Sequence, residues 1–265
     1  AGVPVGPRLR VRPARAALGG AGRPWRGGRS GKGARVVLAG PRPPELSVQA
    51  WCQHLVAPGT TVHRGMMDPS DAQATKAVLV EGFLGPADLE AIESLAHRAE
   101  GLGREVREVR SAPLSDSWEV LFLQAGGLFE AEAPGLARRL ASLARAACRA
   151  HGWVEDADDM RLRVVEYHRQ RAPGPGLPDS HHYDLDSLVT VDVMLSAPGA
   201  DFRGGALSTL EPGGRPLVHE LRQGDALVFA AHKFHSVGPV LAGCRRVLVA
   251  EFWRGALRRC PHRCQ

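Results

Sequence analysis

Two hydrophobic periods divide the chain. Between 86 and 99 the apolar residues Leu89, Ile92, Leu95, Ala96 and Ala99 recur at three- and four-residue steps behind Gly85-Pro86, with Gly101 and Gly103 as stops. This predicts an amphipathic helix. A second helix is predicted from Pro134 to Ala150, carrying Leu136, Leu140, Leu143 and Ala147 on one stripe and arginines opposite. Ala77–Val80 reads as a short strand ahead of the first helix. After Trp153 the step shortens to two. Arg161–His168, Leu188–Leu195, Ala226–Phe229 and Val247–Trp253 read as strands separated by glycines and prolines. In the second of these, Val189, Val191, Val193 and Leu195 alternate with Thr190 and Asp192. Many short strands with turns between them, and helices ahead of them, predict an α+β chain. Its architecture is a double-stranded β-helix, the cupin-like jelly roll, with supporting N-terminal helices.

Residues 46–75 show no clear pattern, with turns expected at Pro58-Gly59 and Asp68-Pro69. Charge then separates the extension from the domain. Residues 1–45 hold ten Lys and Arg against the single acid Glu45, in a 265-residue chain whose net charge is +6. The rest is therefore mildly acidic. Residues 1–75 are read as an Arg/Gly/Pro-rich extension, expected to be disordered, and 76–265 as the folded domain. Three readings of the extension stand: a low-complexity tail without function, an organellar transit peptide, or a nucleic-acid binder. The last is disfavoured because arginine and glycine without interleaved aromatics supply little stacking. No apolar run reaches 18 residues, so no membrane span is expected. Five scattered cysteines (Cys52, Cys148, Cys244, Cys260, Cys264) argue against a disulfide framework and for a reducing, intracellular setting. Cys260, His262 and Cys264 offer three zinc ligands close together, one short of a closed site.

The densest candidate chemistry is His182-Tyr183-Asp184, followed 51 residues after the aspartate by His235 and ten residues later by Arg245. Side chains two apart on a strand share a face, so His182 and Asp184 can grip one ion together. Two imidazoles and a carboxylate on one side of an ion make the facial triad of non-haem Fe(II) sites, which leaves positions open for other ligands. A dicarboxylate cosubstrate bound there needs a cation for its far end, and a guanidinium offers a bidentate fork. His181 faces away from His182. His232 rivals His235, but only His235 stands ten residues before an arginine. Arg245 and Arg246 lie on opposite strand faces, so only one can reach the site.

At these residues the chain resembles the 2-oxoglutarate- and Fe(II)-dependent oxygenases, in their prolyl 4-hydroxylase-like branch, over residues 76–265. HHYDLDSLVTVDVMLS resembles the metal strand and its successor, DFRGG the following turn, GDALVF the strand before the distal histidine, and HSVGPVLAGCRR the histidine-to-arginine segment. The resemblance implies His182, Asp184 and His235 as iron ligands and Arg245 as the 2-oxoglutarate anchor. It suggests Tyr167 as a hydrogen-bond partner of 2-oxoglutarate, with a half-buried structural tyrosine as the alternative. Asp186 and Ser187 are expected to support the site or to form a turn. The implied reaction is hydroxylation of an aliphatic C–H, such as that of a peptidyl proline, with release of succinate and CO₂ and with L-ascorbate as a further cofactor. Substrates would be a peptide or a small molecule. This chain departs from the family in having Ala206 where an acid usually follows Gly204-Gly205, and in the longer, proline-rich stretch 171–179. Two rivals remain: a metal cupin acting as a dioxygenase or isomerase without 2-oxoglutarate, and a non-catalytic binding module, which four intact residues disfavour.

Overall fold

The computed structural model describes residues 75–102, 117–154, 156–211 and 215–263, together with the backbone at 11–12 and 105–106. The turns expected at Pro58-Gly59 and Asp68-Pro69, Cys264 and most of the extension lie outside the described residues. The strands are β1 (Val11–Arg12), β2 (Val78–Val80), β3 (Glu105–Val106), β4 (Trp118–Phe122), β5 (Arg161–Arg171), β6 (Leu177–His182) and β7 (Val189–Met194). They continue as β8 (Phe202–Gly204), β9 (Leu207–Glu211), β10 (Arg215–His219), β11 (Ala226–Ala230), β12 (His235–Val237) and β13 (Val240–Trp253). The helices are α1 (Pro86–Gly101), α2 (Leu128–Glu132) and α3 (Pro134–His151). Val11–Arg12 pair with Val80 and Leu79 of β2, so at these two residues the extension joins the sheet instead of staying unstructured.

The larger sheet runs β1-β2-β11-β7-β13-β5-β4-β3, with β8 also on β13, and the smaller runs β10-β9-β12-β6. Their antiparallel pairing and face-to-face stacking make the jelly roll. The helices form where the apolar stripes predict them. Pro86 needs no N–H partner in the first turn of α1, and the Gly85 N–H donates to the Asp88 carboxylate at 3.0 Å. Arg139 of α3 reaches the same Asp88 at 2.8 Å and ties the two helices together. α3 stops at Gly152, whose φ of 65° is the left-handed conformation that suits glycine.

Both helices cover one face of the larger sheet. Ile92, Leu95, Leu140 and Ala144 pack there against Val189, Val191, Val193 and Leu248. Each fully buried Leu, Ile or Val contributes roughly 1.5–3 kcal/mol. Between the two sheets lies a second cluster with Phe202, Leu207, Phe229, Val237, Val247 and Val249. β7 is therefore buried on both faces, and its polar residues are not at the surface. Its valines face the helices, while Thr190, Asp192 and Met194 face the space between the sheets. Among the described residues no helix is long and apolar enough to cross a membrane. Cys260 is disulfide-bonded, which withdraws its sulfur from the zinc arrangement considered above.

Candidate metal centre

Among the described residues, one group of three metal-ligating side chains converges: His182, Asp184 and His235, whose ligand atoms lie within 4.8 Å of one another. His182 ends β6 and His235 opens β12, and the two pair directly across the strands. Their rings stand nearly perpendicular, with centroids 4.9 Å apart. Asp184 is not on the strand. It sits two residues past the end of β6, where its N–H donates to the Ala231 carbonyl at 2.9 Å and holds the irregular backbone that places it beside His182. Its Oδ1 is 3.5 Å from His182 Nε2 and its Oδ2 is 3.9 Å from His235 Nε2. The Thr190 hydroxyl donates to Oδ2 at 2.6 Å. Burial pushes the Asp184 carboxyl up, but His235, His182 and Arg263 outweigh it and hold it well below the usual carboxylate range. His235 Nδ1 is 3.0 Å from the Lys233 carbonyl, which can only accept. The proton therefore sits on Nδ1, and Nε2 presents its lone pair to the ion. His181 is exposed and packs edge-on against Phe234. His232 is buried but is not one of these converging side chains, and burial pushes its imidazole down to about 4.

Arg245 is 3% exposed and shares the inner face of β13 with Val247 and Val249. Its Nη1 donates to Gln170 Oε1 at 2.9 Å, since β13 pairs Arg245 with Gln170 of β5. Gly205 makes room for it: the backbone there has a φ of +64°, and a Cβ would lie 2.7 Å from Arg245 Cδ. Arg245 Nε and Gln170 Nε2 are both buried without a hydrogen-bond partner. Such donors are costly unless something accepts from them. These two orphaned donors, one on the buried guanidinium and one beside it, fit a carboxylate-bearing ligand. Arg246 points the other way, to Glu93 at 3.1 Å and Asp201 at 3.2 Å.

Tyr167 departs from expectation. It pairs with Leu248, on the face of β5 and β13 that the helices cover, and its hydroxyl donates to Glu93 of α1 at 2.8 Å. Burial and the Glu93 carboxylate push its phenol up. Its hydroxyl thus lies on the far side of the sheet from Arg245, engaged by α1, where the resemblance implied a partner of 2-oxoglutarate. Gln170, three residues on and facing inward, stands beside the arginine instead.

Sequence reasoning also missed a buried charge network. Arg263, from the segment after β13, forks onto Glu166 at 2.5 and 2.8 Å, lies 2.8 Å from Glu251 and reaches to 3.5 Å from Asp184 Oδ1. Arg163 meets Glu251 at 3.1 Å, and the Ser187 hydroxyl donates to the same carboxylate at 2.6 Å. Ser187 thus belongs to this charge network, and Asp186, at φ 65°, lies in the turn. Burial pushes Glu251 up to about 7. Burial acts on Glu166 in the same way, but the Arg263 guanidinium outweighs it and brings this acid down to about 2. The one sequence-level signal was the odd spacing of acids on apolar strands, with Glu166 and Glu251 flanked by buried valines and alanines.

No family model and no curated protein matches the chain. Solved structures do share its fold. A Pseudomonas putida prolyl-4-hydroxylase superposes with a TM-score of 0.52 at 20% identity, over 70% of this chain and 96% of that one. The non-heme alpha ketoglutarate dependent epimerase SnoN from nogalamycin biosynthesis gives 0.51 at 19% identity, over 70% and 83%. A Trichoplax adhaerens prolyl hydroxylase, in complex with a hypoxia inducible factor peptide, gives 0.50 at 14% identity, over 70% and 86%. The fold is thus the jelly roll that these solved structures share, and among them it carries both prolyl hydroxylases and an epimerase.

Proposed function

We propose that the chain is an Fe(II)- and 2-oxoglutarate-dependent oxygenase that hydroxylates an aliphatic C–H. Peptidyl proline is the substrate class suggested by the resemblance, and L-ascorbate the accessory reductant. The observation that carries this reading is the buried Arg245, with the unpartnered donors on it and on Gln170, inside the same jelly roll as the His182/Asp184/His235 cluster. His182, Asp184 and His235 would hold the iron, which, when bound, activates O₂ and couples decarboxylation of 2-oxoglutarate to substrate oxidation. The chain's own contribution is positional. Thr190 holds one Asp184 oxygen, and the Lys233 carbonyl holds the His235 proton away from the ion. Arg245 and Gln170 take the distal carboxylate of the cosubstrate, and the apolar residues around them keep water out.

The metal-cupin alternative needs no buried cation at this place, and a binding module would hold the carboxylate without turning it over, so succinate formation separates the readings. The test is direct. Purified protein with Fe(II) and 2-oxoglutarate should form succinate, slowly without substrate and faster with a matching one. Iron binding without 2-oxoglutarate binding would refute the oxygenase reading.

A further inference from the structure

The turn between β11 and β12 contains a wholly buried lysine, although lysine is almost never fully buried unless paired. Lys233 is 0% exposed, and its ammonium lies 3.0 Å from Glu211 Oε1 at the end of β9. Lys233 gives up its hydration entirely and Glu211, with 22% of its side chain exposed, much of its own, so the pair is weak evidence of stability. What the pair does hold is geometry. The Lys233 N–H donates to the Ala230 carbonyl at 2.8 Å, and the next carbonyl, that of Phe234, accepts from Leu210 at 2.8 Å. Between these fixed points stands the Lys233 carbonyl, the acceptor of the His235 Nδ1 proton at 3.0 Å. Glu211 is itself steadied, accepting from the Thr209 hydroxyl at 2.8 Å, and Thr209 is the register partner of His235 across β9 and β12.

We propose that the Lys233–Glu211 ion pair is the positioning device for the metal ligand His235. By pinning the side chain of residue 233 to β9, it fixes the direction of that residue's carbonyl. The carbonyl fixes the His235 tautomer and ring plane, and so the aim of Nε2. The metal role of His235 rests on the oxygenase reading above, but the tautomer control does not.

The test uses the full-length chain with Lys233→Met, which keeps length and removes charge, and Glu211→Gln, which keeps shape and removes charge. In metal-free protein, imidazole ¹⁵N shifts of His235 should report a single Nδ1–H tautomer in the parent and a mixture in both variants. In Co(II) titrations both variants should bind about 10- to 100-fold more weakly, the usual range for a lost outer-shell partner, with a shifted Co(II) absorption spectrum. Lys233→Arg, which can restore the pair, should recover most of the affinity. If Lys233→Met fails to fold, Glu211→Gln with the same readouts decides alone. An unchanged tautomer together with an unchanged Co(II) spectrum overturns the proposal. Absent 2-oxoglutarate binding in a parent that shows the single tautomer would overturn the oxygenase reading and leave this positioning role standing.

Discussion

Gly205 and Arg245 are packed so closely that any side chain on the glycine would meet the aliphatic stem of the arginine, 2.7 Å from its Cδ. The positive φ of Gly205 adds strain to any substitution there. Gly205→Ala should therefore push the guanidinium off Gln170 and weaken 2-oxoglutarate binding about tenfold. Arg245→Met should weaken it more, because a desolvated carboxylate left unpaired costs about 2–5 kcal/mol, on the order of 30-fold or more. Calorimetric titration with 2-oxoglutarate measures both, and Arg246→Met, on the outer face, should bind as the parent does.

Replacing His182, Asp184 or His235 by alanine should each remove iron binding while circular dichroism stays that of a folded jelly roll, since an open three-ligand site has no spare donor. His181→Ala should retain iron, as its ring is exposed against Phe234. Retention of iron by His235→Ala would mean that the ligand set is wrong.

Tyr167→Phe separates a structural from a cofactor role. The tyrosine hydroxyl bonds Glu93 on the helix side of the sheet, so its loss should lower stability by about 1 kcal/mol in urea unfolding. The dissociation constant of 2-oxoglutarate should not change; a severalfold rise would restore the cofactor role.

His219 gives the fold a pH dependence. It is 5% exposed, and burial pushes its imidazole down to about 4 from an ordinary value of 6.5. The unfolded chain therefore takes up a proton that the folded chain refuses. This contribution is fully present above about pH 6.5 and is lost as pH falls toward 4, reaching about 3 kcal/mol. Denaturant midpoints of the parent should fall over this window, and those of His219→Gln should fall less steeply.

Arg263 is the shared cation of Glu166 and Glu251. Arg263→Gln leaves two buried carboxylates with too little positive charge, a defect that typically costs about 3–5 kcal/mol. Urea unfolding of metal-free protein should show it, and part of the loss should be regained at acid pH, where Glu251, already up at about 7, takes a proton.

The sequence by itself determined what one strand or one helix can encode. The leucine stripes of α1 and α3 lie where their periodicity places them, because a helix buries whichever face is apolar. The spacing of His182, Asp184, His235 and Arg245 was legible for a similar reason: few other arrangements of the chain put two imidazoles, a carboxylate and a guanidinium in that order. Alternation in β5 and β7 was legible too, but not its direction. Period two says that Tyr167 and Gln170 face opposite ways without saying which faces the metal, and here the helices claimed the valines and Tyr167 while the polar residues turned inward. Only the tertiary structure decided this, through the register that sets Arg245 opposite Gln170, 75 residues away, and Thr209 opposite His235. The short, polar strands β9 and β10 show no apolar alternation strong enough to announce them, since their stability comes from the sheet they complete. Nothing in the sequence marks Lys233 or Arg263, because their partners, Glu211, Glu166 and Glu251, come from separate strands. A charge becomes a structural element only when folding removes it from water and leaves it one place to go.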